Sequence, residues 1–176
     1  MKKKISIKNL LPRYLILLIV AFLGLEIFYF VFSPLTVYPV FLILGLFFKT
    51  TLLSESTILI PGNEIELIGA CIAGSAYSLL LILNLATPDI KIKQRLQLLG
   101  YSFVAILSLN ILRIFLLSVL ATKSIFYFNL VHMFFWYVLS IVFVVAIWIY
   151  LTKKFKIKKI PFYSDIKSLH KLTKRK

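Results

Sequence analysis

Polar and apolar positions alternate in blocks along this chain, and the blocks mark five apolar runs at roughly 14–32, 34–48, 69–86, 96–121 and 128–151. Several run for about 18 or more residues with almost no charge, the length needed to cross roughly 30 Å of hydrocarbon. The pattern predicts an all-α integral membrane protein with about five transmembrane helices. The first run follows a lysine-rich start, as a signal peptide does. No small-residue cleavage site follows it, only "YFVFSPLTVYP", so it reads as a retained span. The second run is short and opens on Pro34 and Pro39, residues suited to a helix N-terminus.

The stretch between the second and third runs has a different period. "STILI" and "EIELI" flank "PGN", where proline followed by glycine fits a tight turn. The second arm alternates charged and apolar residues, as a half-buried strand does. These positions predict a small extracytoplasmic β-hairpin over 51–68, just before the third run. It carries Glu55, Glu64 and Glu66, half of the six acidic residues, and is therefore too polar for the hydrocarbon.

Composition sharpens the class. The chain is 61% hydrophobic and 15% charged, whereas a soluble domain is about half apolar and about a quarter charged. A net charge of +15 invites a nucleic-acid reading, but its placement argues against one. Lys2, Lys3, Lys4, Lys8 and Arg13 precede the first run; Lys91, Lys93 and Arg95 sit in the "PDIKIKQR" loop; ten more basic residues follow Tyr150. Clusters flanking spans orient a membrane protein and meet anionic headgroups. The chain thus divides into a basic N-terminal segment (1–13), a polytopic membrane domain (14–151) and a basic cytosolic tail (152–176). With the tail and the 91–95 loop inside, the third run goes from the outer face inward and the last two form an out-and-back pair.

Candidate chemistry follows from that placement. Cys71, in "ACIAGSAY", is the only cysteine, which excludes an intramolecular disulfide and a cysteine-rich metal site. It falls about one turn from the outer end of the third run. Arg113, in "LSLNILRIFLLSVL", falls near the outer end of the fourth, and His132, in "NLVHMFFWYV", near the outer start of the fifth. At about 1.5 Å per residue the three lie within roughly 10 Å of one plane. A cation inside an apolar helix usually faces the protein interior or a wet cavity. Asn110, one turn before Arg113, is placed to hold its guanidinium. Glu26 lies deep in the first run, where a carboxylate is expected to be protonated or paired.

A thiol, a cation and an imidazole make a set for acyl transfer. A neighbouring cation raises the thiolate fraction, histidine carries the proton to a leaving amine, and arginine steadies an oxyanion. One histidine within the apolar runs, with scattered carboxylates, offers no metal ligand set, so neither metal nor cofactor is expected.

The order of these residues resembles the exosortase and archaeosortase transpeptidases: a cysteine at the outer start of one helix, then "NILRI", then a histidine at the outer start of the next. "LILGLFF" and the hairpin leading into "ACIAGSAY" resemble that family's approach to its cysteine. The similarity covers roughly 34–150, and the short chain looks like the small archaeal branch. It implies that Cys71 is the nucleophile, Arg113 the stabiliser and His132 the acid–base residue, with Asn110 and Ser75 in support. Where the family commonly has a small hydroxyl residue and then glycine after the cysteine, this chain has Ile72, Ala73 and Gly74, with Ser75 following.

The resemblance implies substrates that are exported proteins ending in a short motif, an apolar span and a basic cluster. These would be cut near the outer face and passed to an acceptor, a membrane lipid in archaeal cases. A substrate helix would lie on the small face of Gly69, Ala70, Ala73, Gly74 and Ser75. The resemblance and the hairpin both favour an external residue 51, hence a full crossing by 34–48 that leaves the basic N-terminus outside, against the positive-inside tendency. A re-entrant 34–48 would instead keep the N-terminus inside. Two alternatives stay open from the residues alone: a membrane protease that only hydrolyses, and a non-enzymatic accessory or transport subunit with a polar Arg/His crevice.

Overall fold

Helix-forming apolar runs and one strand-patterned insert account for the architecture. The computed structural model describes residues 7–88, 90–157 and Pro161. The basic segment 1–13 lies partly, and the tail 152–176 mostly, outside the described residues.

The first two apolar runs are one helix, α1 (Ile7–Gly45), which continues through Pro34 and Pro39. Each proline removes one ladder hydrogen bond. A break there would instead strip several backbone groups of partners within hydrocarbon, at several kcal/mol apiece, and an unbroken helix avoids that. The expected turn between residues 32 and 34 is therefore absent. Phe28, Phe32, Thr36, Val40 and Leu44 recur every fourth residue and are all buried, forming the face that meets the rest of the molecule.

Three strands follow: β1 (Thr51–Leu52), β2 (Thr57–Ile60) and β3 (Asn63–Glu66). They form an antiparallel sheet in the order β1-β2-β3, so the predicted hairpin gains a third strand and β3 lies at an edge. Pro61 and Gly62 make its turn, with Gly62 at φ 83°, a region glycine enters freely. Ile58 and Ile60 point into the core and are essentially inaccessible.

The third run is broken. A short helix, α2 (Gly69–Ile72), ends at Ala73 in a left-handed conformation (φ 62°, ψ 33°), and α3 (Gly74–Ala86) starts anew. Tyr29 of α1 fills the adjacent space: a Cβ on Gly74 would meet its Cε1 at 2.5 Å, so only glycine fits. The small face expected to receive a substrate helix is thus occupied at Gly74 by the protein's own ring. One turn on, Phe32 stacks on Tyr77 at 3.7 Å, with Phe103 edge-on to both, which ties α1, α3 and α4 (Ile92–Lys123) together.

The last run is α5 (Ile125–Phe134), a π-helical turn (Phe135–Leu139) and α6 (Ser140–Lys154). Two expected loops shrink. Ser124 alone separates α4 from α5, and α4 takes in Lys93 and Arg95. Leu25–Gly45, Ile92–Lys123 and Ile125–Lys154 are long and apolar enough to cross a membrane, while α3 is a shorter apolar helix. Only 6% of an 18-residue apolar window within Ile125–Lys154 is buried inside the protein. Glu26 is exposed on α1.

Candidate active site

Four elements converge beneath the edge of the sheet. A cavity of about 290 Å³ is lined by β3, by Cys71 of α2, by Arg113, Leu117 and Ser118 of α4, and by Phe128 and His132 of α5. Cys71, Arg113 and His132, read from sequence as lying at one depth, are thus brought around one space. A second, water-sized cavity of about 30 Å³ lies on the other side of Arg113, bounded by Ala73, Asn110 and Ser140 among others.

Cys71 is a free, half-buried cysteine. Its position depends on the break at Ala73, since a continuous helix from Gly69 would present residue 71 along a different line. A non-glycine residue in the left-handed region is strained, and such strain tends to gather at functional sites. Asn110 holds the break from the far side, its Nδ2 donating to the Cys71 carbonyl oxygen at 2.7 Å. Asn110 therefore fixes the backbone at the thiol, and does not hold the guanidinium as its spacing from Arg113 suggested. Cys71 precedes the apolar helix α3. There, burial pushes its thiol above the usual range, and the charge of Arg113 draws it part of the way back. The net push keeps the thiol protonated at neutral pH.

Arg113 is buried, 8% exposed. Its Nη1 donates to Ser140 Oγ at 3.1 Å, while its Nε is buried without a partner among the described residues. Ser140 in turn donates to the carbonyl oxygen of Phe135, five residues back, at 2.8 Å. A regular helix offers a serine the carbonyl four residues back, as Ser102 and Ser118 use here. The π-helical turn shifts that pairing and aims the Ser140 oxygen at α4. Such bulges are frequent at functional positions. The sequence carries no signal for Ser140, since one serine in an apolar run looks like any other.

His132 is half-buried. Phe128 stacks on its ring at 5.3 Å and Trp136 meets it edge-on at 5.8 Å, so two aromatics set its plane. Ser75 is exposed on α3 and lines neither cavity. The described residues contain no group of three or more metal-ligating side chains. Comparison with known protein families, curated proteins and solved structures returns no match to this chain.

Proposed function

We propose that this is a membrane-embedded cysteine transpeptidase of the exosortase/archaeosortase kind. On this reading it cleaves C-terminal sorting signals of exported proteins and transfers the new carboxyl end to an acceptor such as a membrane lipid. The observation that carries the reading is the arrangement of Cys71, Arg113 and His132, from three separate helices, around one cavity under an edge strand.

The chemistry balances with these residues alone. His132 takes the Cys71 proton as sulfur attacks the scissile carbonyl carbon. The oxyanion that forms is held by Arg113, whose unpaired Nε is a donor in reserve. Collapse breaks the C–N bond, the amine leaves with the proton from His132, and a thioester remains. The acceptor then attacks the thioester and returns the thiol.

A single crossing by α1 supports an external site. With the sheet outside, α1, α3, α4 and the α5–α6 span make four crossings. Both the basic N-terminus and the basic tail then lie inside, in keeping with the positive-inside tendency. Five spans would put the basic N-terminal segment outside, and one helix over the first two runs supports the four-crossing arrangement instead.

The test is processing of an exported protein from the same cell that ends in a motif, an apolar span and a basic cluster. Cys71→Ser should remain in the membrane and lose processing by several orders of magnitude, and wild-type protein should yield a hydroxylamine-sensitive adduct. Normal processing by Cys71→Ala would overturn the reading.

A further inference from the structure

The cavity has one wall that none of the chemistry above uses. Asn63, Glu64, Ile65, Glu66 and Leu67 line it consecutively. A sheet face offers alternate residues, because successive side chains point to opposite sides. Consecutive residues mean that the cavity runs along the edge of β3.

Register shows what that edge carries. β2 and β3 pair Thr57 with Glu66, Ile58 with Ile65, Leu59 with Glu64 and Ile60 with Asn63. The ladder continues to Leu67, whose N–H donates to the Ser56 carbonyl oxygen at 2.8 Å. Hydrogen-bonded pairs alternate with non-bonded ones in an antiparallel ladder. Ser56–Leu67, Ile58–Ile65 and Ile60–Asn63 are therefore the bonded pairs. The N–H and C=O groups of Glu64 and Glu66 turn away from β2, toward the free edge, and take no partner among the described residues. Beside them are two exposed carboxylates on the outer face of the same strand.

An open edge with regularly spaced donors and acceptors is a template for one more strand. We infer that the edge of β3 is the docking strand of this site. An extended peptide pairs with the backbone of Glu64 and Glu66 as a fourth strand and sets a lysine or arginine against their carboxylates. The inference rests on the reading of the cavity as a peptide-processing site and adds the binding mode and a charge preference. It explains why an edge strand, normally a liability, is left open here above a thiol and a guanidinium. The carboxylates restrict what pairs with it. Cross-strand neighbours on one face interact, and opposite charges are favoured there over like charges.

The experiment uses the full-length Cys71→Ala protein in lipid nanodiscs and fluorescein-labelled octapeptides, with anisotropy as the readout, so that binding is measured without turnover. Peptides with lysine at alternate positions should bind about tenfold tighter than their glutamate counterparts, and adding Glu64→Lys with Glu66→Lys should reverse the order. N-methylation should weaken binding by roughly tenfold at alternate amides and hardly at all at those between. Glu66→Pro removes an outward N–H together with one carboxylate, leaves the β2 ladder whole, and with an uncharged peptide should match the damaging methylations. The docking strand is overturned if no peptide binds, if methylation acts equally at every amide, or if charge preference ignores the double variant. Alternating, charge-selective binding without Cys71-dependent cleavage by wild-type protein would keep the docking strand and overturn the transpeptidase. Cys71-dependent cleavage without alternation would do the reverse.

Discussion

Arg95 and Arg113 lie on the same helix, about five turns apart, and do different work. Arg95 is half-buried and thoroughly paired. Its Nη1 donates to both the backbone and side-chain oxygens of Asn84, its Nη2 donates to the Thr87 carbonyl at 3.0 Å, and Asn84 Nδ2 donates back to the Arg95 carbonyl at 3.1 Å. The planar fork closes the C-terminal end of α3, where the last carbonyls otherwise lack partners. Arg113 is more deeply buried yet, among the described residues, holds one side-chain hydrogen bond and an unpaired Nε beside two cavities. A buried donor without a partner costs about 1–3 kcal/mol. On the proposed reading that cost is recovered when an oxyanion meets the fork. The paired arginine builds the fold; the under-paired one is the one this reading assigns to the substrate.

The sharpest way to break this contrast is to change each arginine to lysine, which keeps charge and removes the fork. Arg113→Lys should accumulate in the membrane normally and lose processing by about 10²–10³-fold, the usual loss for a removed oxyanion donor. Arg95→Lys should process normally per folded molecule but unfold more readily, by about 1.5–3 kcal/mol, the range for hydrogen bonds to a charged group. Thermal unfolding in nanodiscs and single-turnover processing check both. The opposite assignment of effects would reverse the two roles.

A smaller effect tests the resting state of the thiol near Arg113. Because burial outweighs the pull of Arg113 on Cys71, its alkylation by iodoacetamide should rise about tenfold per pH unit and still be climbing near pH 8.5, the midpoint of an ordinary cysteine. A rate already level at neutral pH would mean a preformed thiolate and would transfer the burden of activation from His132 to Arg113.

These contrasts also explain what the sequence made legible. Depth along a span follows from counting residues, so the sequence alone puts Cys71, Arg113 and His132 at one level. The strand period around "PGN" located β2 and β3, because alternation and a proline–glycine turn are local signals. What a side chain touches is set by neighbouring helices, and there spacing misled. Asn110 reaches the Cys71 backbone across a helix pair and does not bond along its own helix to Arg113. Arg95 reads from sequence as an orientation signal, and its bonds to the end of α3 are visible only in the fold. Pro34 and Pro39 suggested a boundary that α1 ignores, since the cost of a break in hydrocarbon exceeds that of missing ladder bonds. Ser75, close to Cys71 in sequence, falls after the Ala73 break and turns outward.

The finest test concerns why Arg113 points where it does. Ser140 accepts from Arg113 Nη1 while donating to Phe135, an arrangement that depends on the π-helical turn. Ser140→Ala removes the acceptor but leaves charge and cavity in place, so the guanidinium is less well aimed without being lost. One such hydrogen bond to a charged group, partly replaced by water in the small cavity beside it, corresponds to a loss of about fivefold. It should appear in kcat with KM nearly unchanged, because only the developing oxyanion feels the aim of the fork. Ser140→Thr keeps the hydroxyl and should recover most of the rate, whereas Ser118→Ala, on the wall of the main cavity, should leave kcat unaltered. If Ser140→Ala and Ser118→Ala behaved alike, the π-helical turn would be a packing irregularity and Arg113 would owe its aim to burial alone.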